Sequence, residues 1–360
     1  MENRLFVDIH AIQSLPPSNV NRDDTGSPKT AIYGGVRRSR VSSQSWKRAI
    51  RQYFNNESAE DVGIRSLNVV KYVSDLIIAK DPSVTASDAM SMADKVFNVA
   101  GVKTKDQKAK ALFFLGKKQA NLLADAALNQ VSNQTELKKI LSDNPPVDIA
   151  LFGRMVADDP SLNEDASVQV AHAISTHEVQ TEFDFYTALD DLAPEDNAGA
   201  GMLGTVEFNS STLYRYANIA VHDLVRQLKN GEQAVSASKL FIEAFTNSMP
   251  TGKSNTFANL TLPHLLMVNI RQDRPVNLVT AFENPVKSYA GNSKGNSVTS
   301  IERLFAEVKK TEKFVQAPLR TFYVVNEDVA KPEWGTEENS LTSLLNDFEE
   351  VVTNCVLERS

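Results

Sequence analysis

The sequence predicts an α+β fold, and three observations carry the prediction. Strand-like and helix-like stretches interleave without the regular alternation of a doubly wound sheet. Residues 55–146 show helical periodicity only, which marks a helical insertion. Two extended runs flank a Gly/Asn/Asp-rich tip and read as one long β-hairpin.

Each element has a local reason. "RLFVDIHAIQSL" alternates, with Val7, Ile9 and Ala11 on one face of a strand. "PPSNVNRDDTGSPKTAIYGG" is a polar loop. "VRRSRV" reads as an extended run, and "SSQSWKRAIRQYF" as a helix capped by Ser42 or Ser43. "SLNVVKYVSDLIIAK", "ASDAMSMADKVFNVAG", "KAKALFFLGKKQANLLADAALNQ" and "TELKKILSD" supply the inserted helices, bounded by Pro145-Pro146. Strand texture returns at "VDIALFGRM" and "ASVQVAHAISTHEV". "EFDFYTALDDL", the loop "APEDNAGAG" and "MLGTVEFNSS" form the hairpin, and "TLYRYANIAV" is a further strand. "EQAVSASKLFIEAFTNSM" is a helix, "LMVNIR" and "RTFYVV" are strands, and "LTSLLNDFEEVVTNCVL" is a closing helix. These spans define an order of segments: 1–54, the insertion 55–146, 147–182, the hairpin 183–208, and 209–360.

The 360 residues carry a net charge of -7, with 42% hydrophobic and 23% charged residues, the balance of an ordinary globular protein. Cys355 stands alone, so an internal disulfide and a cysteine-based zinc site are both excluded. A reducing, cytoplasmic setting is the expectation. "MENRLFVDIH" holds charges where a secretory leader needs an apolar run, and no uncharged segment is long enough for a bilayer, so no membrane partner is expected.

Charge is unevenly distributed. Residues 1–51 sum to +5, which leaves -12 for the remainder. Arg37, Arg38, Arg40, Lys47, Arg48 and Arg51 crowd into Gly34–Arg51 without a carboxylate. On a helical wheel, Trp46, Ala49, Ile50, Tyr53 and Phe54 share one arc, while Gln44, Lys47, Arg48 and Arg51 share another. The first is a core stripe and the second a basic comb. Like charges at i,i+4, such as Lys47 and Arg51, repel, so a comb without acids fits a polyanion better than a merely solvated face. Ser42, Ser43 and Ser45 crowd the helix amino end, whose free N–H groups favour an anion. Gly34-Gly35 removes side-chain bulk and lets backbone approach a ligand.

Other constellations are weaker. Asp23-Asp24 reads as turn chemistry or a salt bridge to Arg22, with general acid/base or metal duty as the less favoured reading. Asp190-Asp191 reads as a solvated turn. His172 shares strand parity with Val168, Val170 and Ile174 and is expected in the core; with His177 it has the wrong spacing for a metal pair. "TGKS" at Thr251–Ser254 lacks the upstream glycine of a phosphate-binding loop, since Asn247 stands there. Tyr214 and Tyr216 flank Arg215 in a strand and are either core or a base-stacking surface. No cofactor is implied.

Taken in order, "NRDD…AIYGGVRRSRVSSQSWKRAIR", "VDIALFGRM", "AHAISTHEV", "DFYTALDDL", "GTVEFNSSTLYRYANI" and "MVNI…AFE" resemble the backbone subunit family of Cascade, the type I-E CRISPR surveillance complex. The resemblance covers nearly the full chain and is loosest in the helical insertion and the last hundred residues. It implies a ferredoxin-like, RRM-related palm of the RAMP superfamily, a helical finger and a β-hairpin thumb. It implies copies stacked head to tail along a CRISPR guide RNA, alongside other Cascade subunits, with target DNA recognised by guide pairing and no catalytic duty. Carried onto this sequence, the guide-phosphate contacts are Arg22, Arg38, Ser42, Gln44, Lys47, Arg48 and Arg51. Phe185, Tyr186 and Thr187 stand beside a displaced base, with Phe185-Tyr186 where the family has Trp-Phe. Met155 packs on the kinked nucleotide, and Val36 replaces a basic residue. The alternative within the same fold is an aspartate-dependent ribonuclease.

Overall fold

The computed structural model describes residues 4–57, 62–143, 145–188, 202–287 and 294–357. In chain order, β1 (Phe6–Ser18), β2 (Thr30–Tyr33) and β3 (Val36–Val41) lead into α1 (Ser43–Glu57). There follow β4 (Gly63–Ser66), α2 (Val69–Lys80), α3 (Ala86–Val99), β5 (Thr104–Lys105), β6 (Lys108–Ala109), β7 (Phe113–Gly116), α4 (Lys117–Leu128), α5 (Gln134–Ser142) and α6 (Val147–Phe152). Then come β8 (Val168–Val170), β9 (Ala173–Ser175), β10 (Glu182–Ala188), β11 (Met202–Ala220), α7 (Val221–Leu228), α8 (Gly231–Asn247) and α9 (Ser254–Phe257). The carboxyl-terminal part holds β12 (Leu265–Arg271), α10 (Gly295–Thr311), β13 (Arg320–Val325), β14 (Thr336–Glu337) and α11 (Leu341–Leu357).

The chain forms two compact units. The first comprises Met1–Ile50, Val170–Asn218 and Phe241–Val351. Its sheet has the order β14-β13-β12-β1-β11-β9-β3-β2. The middle four strands, β12-β1-β11-β9, stand in the chain as β1, α1, β9, β11, α8, β12. That is a β-α-β-β-α-β succession with spatial order 4-1-3-2, the ferredoxin-like arrangement. β1 is buried along most of its length because both faces of the sheet are covered. On one face the Arg215 guanidinium lies against Trp46 of α1 and Phe245 of α8. On the other, Tyr214 and Tyr216 pack with Phe282, Leu304 and Phe305. The aromatic pair is therefore core: α10 occupies the surface on which bases would otherwise stack.

The second unit comprises Arg51–Gln169, Ile219–Leu240 and Val352–Ser360. Its centre is an apolar cluster that includes Val73, Ile77, Ala93, Phe97, Leu123, Leu137 and Leu141. These residues recur at helical spacing on α2, α3, α4 and α5, so each helix buries one stripe against the others.

Three sequence expectations need correction. "VDIALFGRM" is not a strand: residues 147–152 form α6 after the N-cap residue Pro146, and Gly153 ends it at φ 76°. A short buried apolar run carries no periodicity that separates strand from helix. "KAKALFFLG" is likewise not helical, since residues 113–116 form β7, paired with β4. "MLGTVEFNSS" and "TLYRYANIAV" are one continuous strand, β11. Helices α7 and α10 were not anticipated. Among the described residues no helix is long and apolar enough to cross a membrane.

Candidate nucleic-acid interface

The basic segment begins in a tight hairpin. Gly34 and Gly35, at φ 61° and 80°, form the two-residue turn between β2 and β3, a conformation that favours glycine. A Cβ on Gly34 would stand 1.6 Å from the Glu283 carbonyl oxygen. The space freed there is filled by protein backbone and not by a ligand.

β3 then alternates. Arg37 is exposed and Arg40 half-buried, while Arg38 is completely buried. Arg38 donates to the carbonyls of Tyr33 (3.1 Å), Ser175 (3.0 Å) and Phe282 (2.8 Å). Burial lowers its pKa. The placement corrects the expectation that Arg38 meets phosphate; the solvent-facing cations of this strand are Arg37 and Arg40. Alternation could not have singled out Arg38, because Arg40 shares its parity and is only half-buried.

The amino end of α1 is already furnished. The Ser42 N–H donates to Asn21 Oδ1 (2.9 Å), and Ser42 Oγ accepts the Ser45 N–H (3.3 Å). The Ser43 N–H donates to His172 Nδ1 (3.1 Å). His172 is exposed, contrary to its expected core position, and its pKa is lowered by desolvation and then by Arg40 and Lys29. Lys29, Arg40 and the His172 imidazole therefore lie close together at this helix end. His177, by contrast, is buried, and its Nε2 accepts the Thr212 N–H (3.0 Å).

Trp46, Ala49 and Ile50 turn into the core, as their spacing dictates. Gln44 and Arg48 are exposed, and Lys47 is half-buried with its pKa lowered by that burial. Arg22 is exposed beside Asp23, whose Oδ1 accepts the N–H groups of Thr25 (2.9 Å) and Ser27 (3.0 Å). That side chain closes a turn, and these bonds, led by the Thr25 hydroxyl, outweigh desolvation and lower its pKa. Among the described residues no group of three His, Cys, Asp or Glu side chains is arranged to hold a metal.

Arg51, in the second unit, has the acid partner the local sequence lacks. Its Nε lies 3.4 Å from Asp148 Oδ2, and its guanidinium lies 4.2 Å from the Phe114 ring centroid. Asp148 is buried and also accepts the Gly63 N–H (2.9 Å). Desolvation, opposed by these bonds, raises its pKa to about 6. Met155, also in the second unit, is 81% exposed.

The hairpin stands on the first unit. β10 pairs antiparallel with β11 from Glu182↔Phe208 to Ala188↔Met202. Phe183 and Phe185, each 66% exposed, share one face, and Tyr186 takes the other. Thr187 is exposed. Asp190-Asp191 and the loop Pro194–Gly201 lie outside the described residues. At the base, the Phe208 and Phe257 rings are 5.9 Å apart, and Asn19 Nδ2 donates to the Glu207 carbonyl (2.8 Å). Large exposed aromatics on a two-stranded arm offer π-faces that stack on any base.

Comparison with known proteins bears on the fold and the family. Among curated proteins nothing matches. Among solved structures, a chain described as "CRISPR RNA-guided surveillance complex, pre-nicking" superposes with TM-score 0.83 at 32% identity, over 96% of this chain and 100% of that one. A second, described as "CRISPR RNA-guided surveillance complex", gives TM-score 0.77 at 28% identity, over 96% and 99%. The profile of the family described as CT1975-like protein matches residues 7–350. The chain belongs to the CT1975-like protein family.

Proposed function

We propose that this chain is a subunit of a CRISPR RNA-guided surveillance complex of the Cascade type and serves as its non-catalytic backbone. Several copies stand head to tail along the guide RNA and present it for pairing with target DNA in antiviral defence. The observation that carries the proposal is the end-to-end likeness, at 32% identity, to a chain of such a complex. Arg22, Ser42, Gln44, Lys47 and Arg48 serve guide phosphates, joined by Arg37 and Arg40. Arg38 and Arg51 act inside the protein. Phe185, Tyr186 and Thr187 press beside a displaced base, and Met155 packs on the kinked nucleotide.

The chemistry suits a holder of variable guides. Cations on phosphate carry no sequence information, aromatic stacking is tolerant of base identity, and recognition is left to base pairing. The competing ribonuclease reading loses ground because the Asp23 carboxylate is committed to its own turn.

The test is to isolate the assembled complex and sequence the RNA it carries. Repeat-derived ends with variable interiors are expected. Unrelated cellular RNA in their place would overturn the proposal. So would RNA cleavage by the complex that Asp24→Ala abolishes.

A further inference from the structure

Arg38 poses a question that its burial sharpens. It is a cation in the core of the first unit, and all its hydrogen-bond acceptors among the described residues are backbone carbonyls. Burying a guanidinium is costly unless its donors are well used. Here they join three separated pieces of chain. Nε holds Tyr33 at the end of β2, Nη1 holds Ser175 of β9, and Nη2 holds Phe282 with Glu283 at 3.4 Å.

The surroundings converge on the same junction. Gly34 is seated directly against the Glu283 carbonyl. The Tyr33 hydroxyl donates to the Val279 carbonyl (3.3 Å). The Ser39 N–H donates to Ser175 Oγ (3.0 Å), the Val179 N–H to the Arg37 carbonyl (3.0 Å), and the Val286 N–H to the Thr176 carbonyl (2.9 Å). The strand's other two cations are Arg37, which is exposed, and Arg40, which is half-buried with its Nε donating to the Thr30 carbonyl (3.4 Å).

We infer that Arg38 is a positioning residue for guide binding: it staples the β2–β3 hairpin to the Phe282–Glu283 turn and so fixes where Arg37 and Arg40 present their charges. The inference rests on the guide-binding reading above and assigns to one side chain the alignment of that surface. A direct phosphate contact is closed to Arg38 by its burial. A general electrostatic role would need only a positive charge, whereas the staple needs a planar fork with several donors.

A double-mutant cycle on the full chain separates these roles, with a fluorescent single-stranded RNA of random sequence as probe. The variants are Arg38→Lys, Arg38→Met, Arg37→Ala with Arg40→Ala, and the latter pair combined with Arg38→Met. Arg38→Lys and Arg38→Met are each expected to weaken binding about tenfold, an effect of the size of one contact's loss. Against the Arg37→Ala/Arg40→Ala background, Arg38→Met is expected to change affinity less than about twofold, as non-additivity through a shared device requires. Exchange of the Val286 amide should quicken in both single variants. Gly34→Ala disturbs the same junction from the other side and should reproduce the result, which keeps the test decisive if an Arg38 variant fails to fold.

Wild-type affinity in Arg38→Lys would overturn the inference in favour of charge alone. A full additive loss in the combined variant, with the salt slope reduced by about 0.7, would assign Arg38 a phosphate of its own and overturn it equally. Failure of the wild-type chain to bind RNA would instead sink the guide-binding reading, and that outcome is visible before any variant is compared.

Discussion

The ring of Tyr186 rests on Gly204 across the hairpin ladder: a Cβ placed on Gly204 would stand 2.4 Å from the ring's Cζ and Oη. The glycine is what lets an aromatic ring lie flat along its strand partner. Because the obstructing atoms are the far end of a mobile side chain, Gly204→Ala should move the ring and leave the ladder intact. The melting temperature is expected to shift by no more than about 2 °C, the range of peripheral substitutions. RNA affinity should fall, by at most the roughly 1–3 kcal/mol of one base stack. Combining Gly204→Ala with Tyr186→Ala should add nothing further. Additive losses would mean that Gly204 acts on RNA independently of the ring.

Lys47, Arg48 and Arg51 follow one another on α1, yet their surroundings predict different phenotypes. Lys47→Glu with Arg48→Glu should reduce RNA affinity and flatten its dependence on salt by about 1.4 in log-log slope, roughly 0.7 for each phosphate lost from a single strand. Arg51→Ala should leave the slope unchanged, because its guanidinium is already bonded to Asp148 and stacked on Phe114. It should instead destabilise the fold by about 1–3 kcal/mol, since Asp148 and the ring lose a half-buried partner. Salt titrations and denaturant unfolding read the two effects separately.

How far the sequence reveals this arrangement depends on where each residue's neighbours come from. Trp46, Ile50 and Phe54 lie on one helical stripe, and the stripe alone says which side of α1 is core. Phe185 and Tyr186 are singled out by the family resemblance and not by a local pattern, and both are exposed on the hairpin. Arg38 is different: its cover is the carbonyl row at Phe282 and Glu283, some 240 residues downstream, which no local pattern announces. His172 escapes its expected core position because the chain breaks between β8 and β9, and the alternation counted from Val168 no longer holds beyond Val170. Arg51 has no acid partner in its own segment because Asp148 arrives from the start of α6, where the local sequence suggested a strand.

Asp8 gives the fold a pH dependence of definite sign. Its carboxyl group is buried, accepts the Tyr216 hydroxyl (2.7 Å) and the Val276 N–H (2.9 Å), and has Arg271 Nε at 4.0 Å. Desolvation outweighs these favourable contacts and pushes its pKa up to about 7, against 3.8 for an ordinary aspartate. Between about pH 4 and pH 7 the folded chain therefore holds a proton that the unfolded chain has released. The contribution of Asp8 to stability is greatest below pH 4 and declines as pH rises through this window. Denaturant unfolding at pH 5 and pH 8 should show the wild type losing more stability than Asp8→Asn over that step. Parallel losses would mean that Arg271 keeps the carboxylate ionised in the fold.

Arg215 provides the sharpest test of what holds the first unit together. Flanked in β11 by two buried tyrosines, it points to the opposite face, where its guanidinium carbon lies 3.7 Å from the Trp46 ring centroid and 4.3 Å from that of Phe245. Nη1 donates to Gln13 Oε1 (2.5 Å) and Nη2 to the Phe245 carbonyl. Complete burial lowers its pKa to about 9, so it stays protonated at neutral pH. One side chain thus links α1, α8 and β1 by stacking and by hydrogen bonds. Arg215→Ala should cost about 3–5 kcal/mol, the range for emptying a large buried site. Arg215→Met restores volume without charge, and a buried ion replaced by an apolar group of similar size is often tolerated. It should recover more than half of the loss. Arg215→Lys keeps the charge but neither the planar stack nor the fork, and should recover less than methionine does. The reverse order, lysine above methionine in denaturant unfolding, would show that the charge itself, and not the packed plane between Trp46 and Phe245, secures the two helices to the sheet.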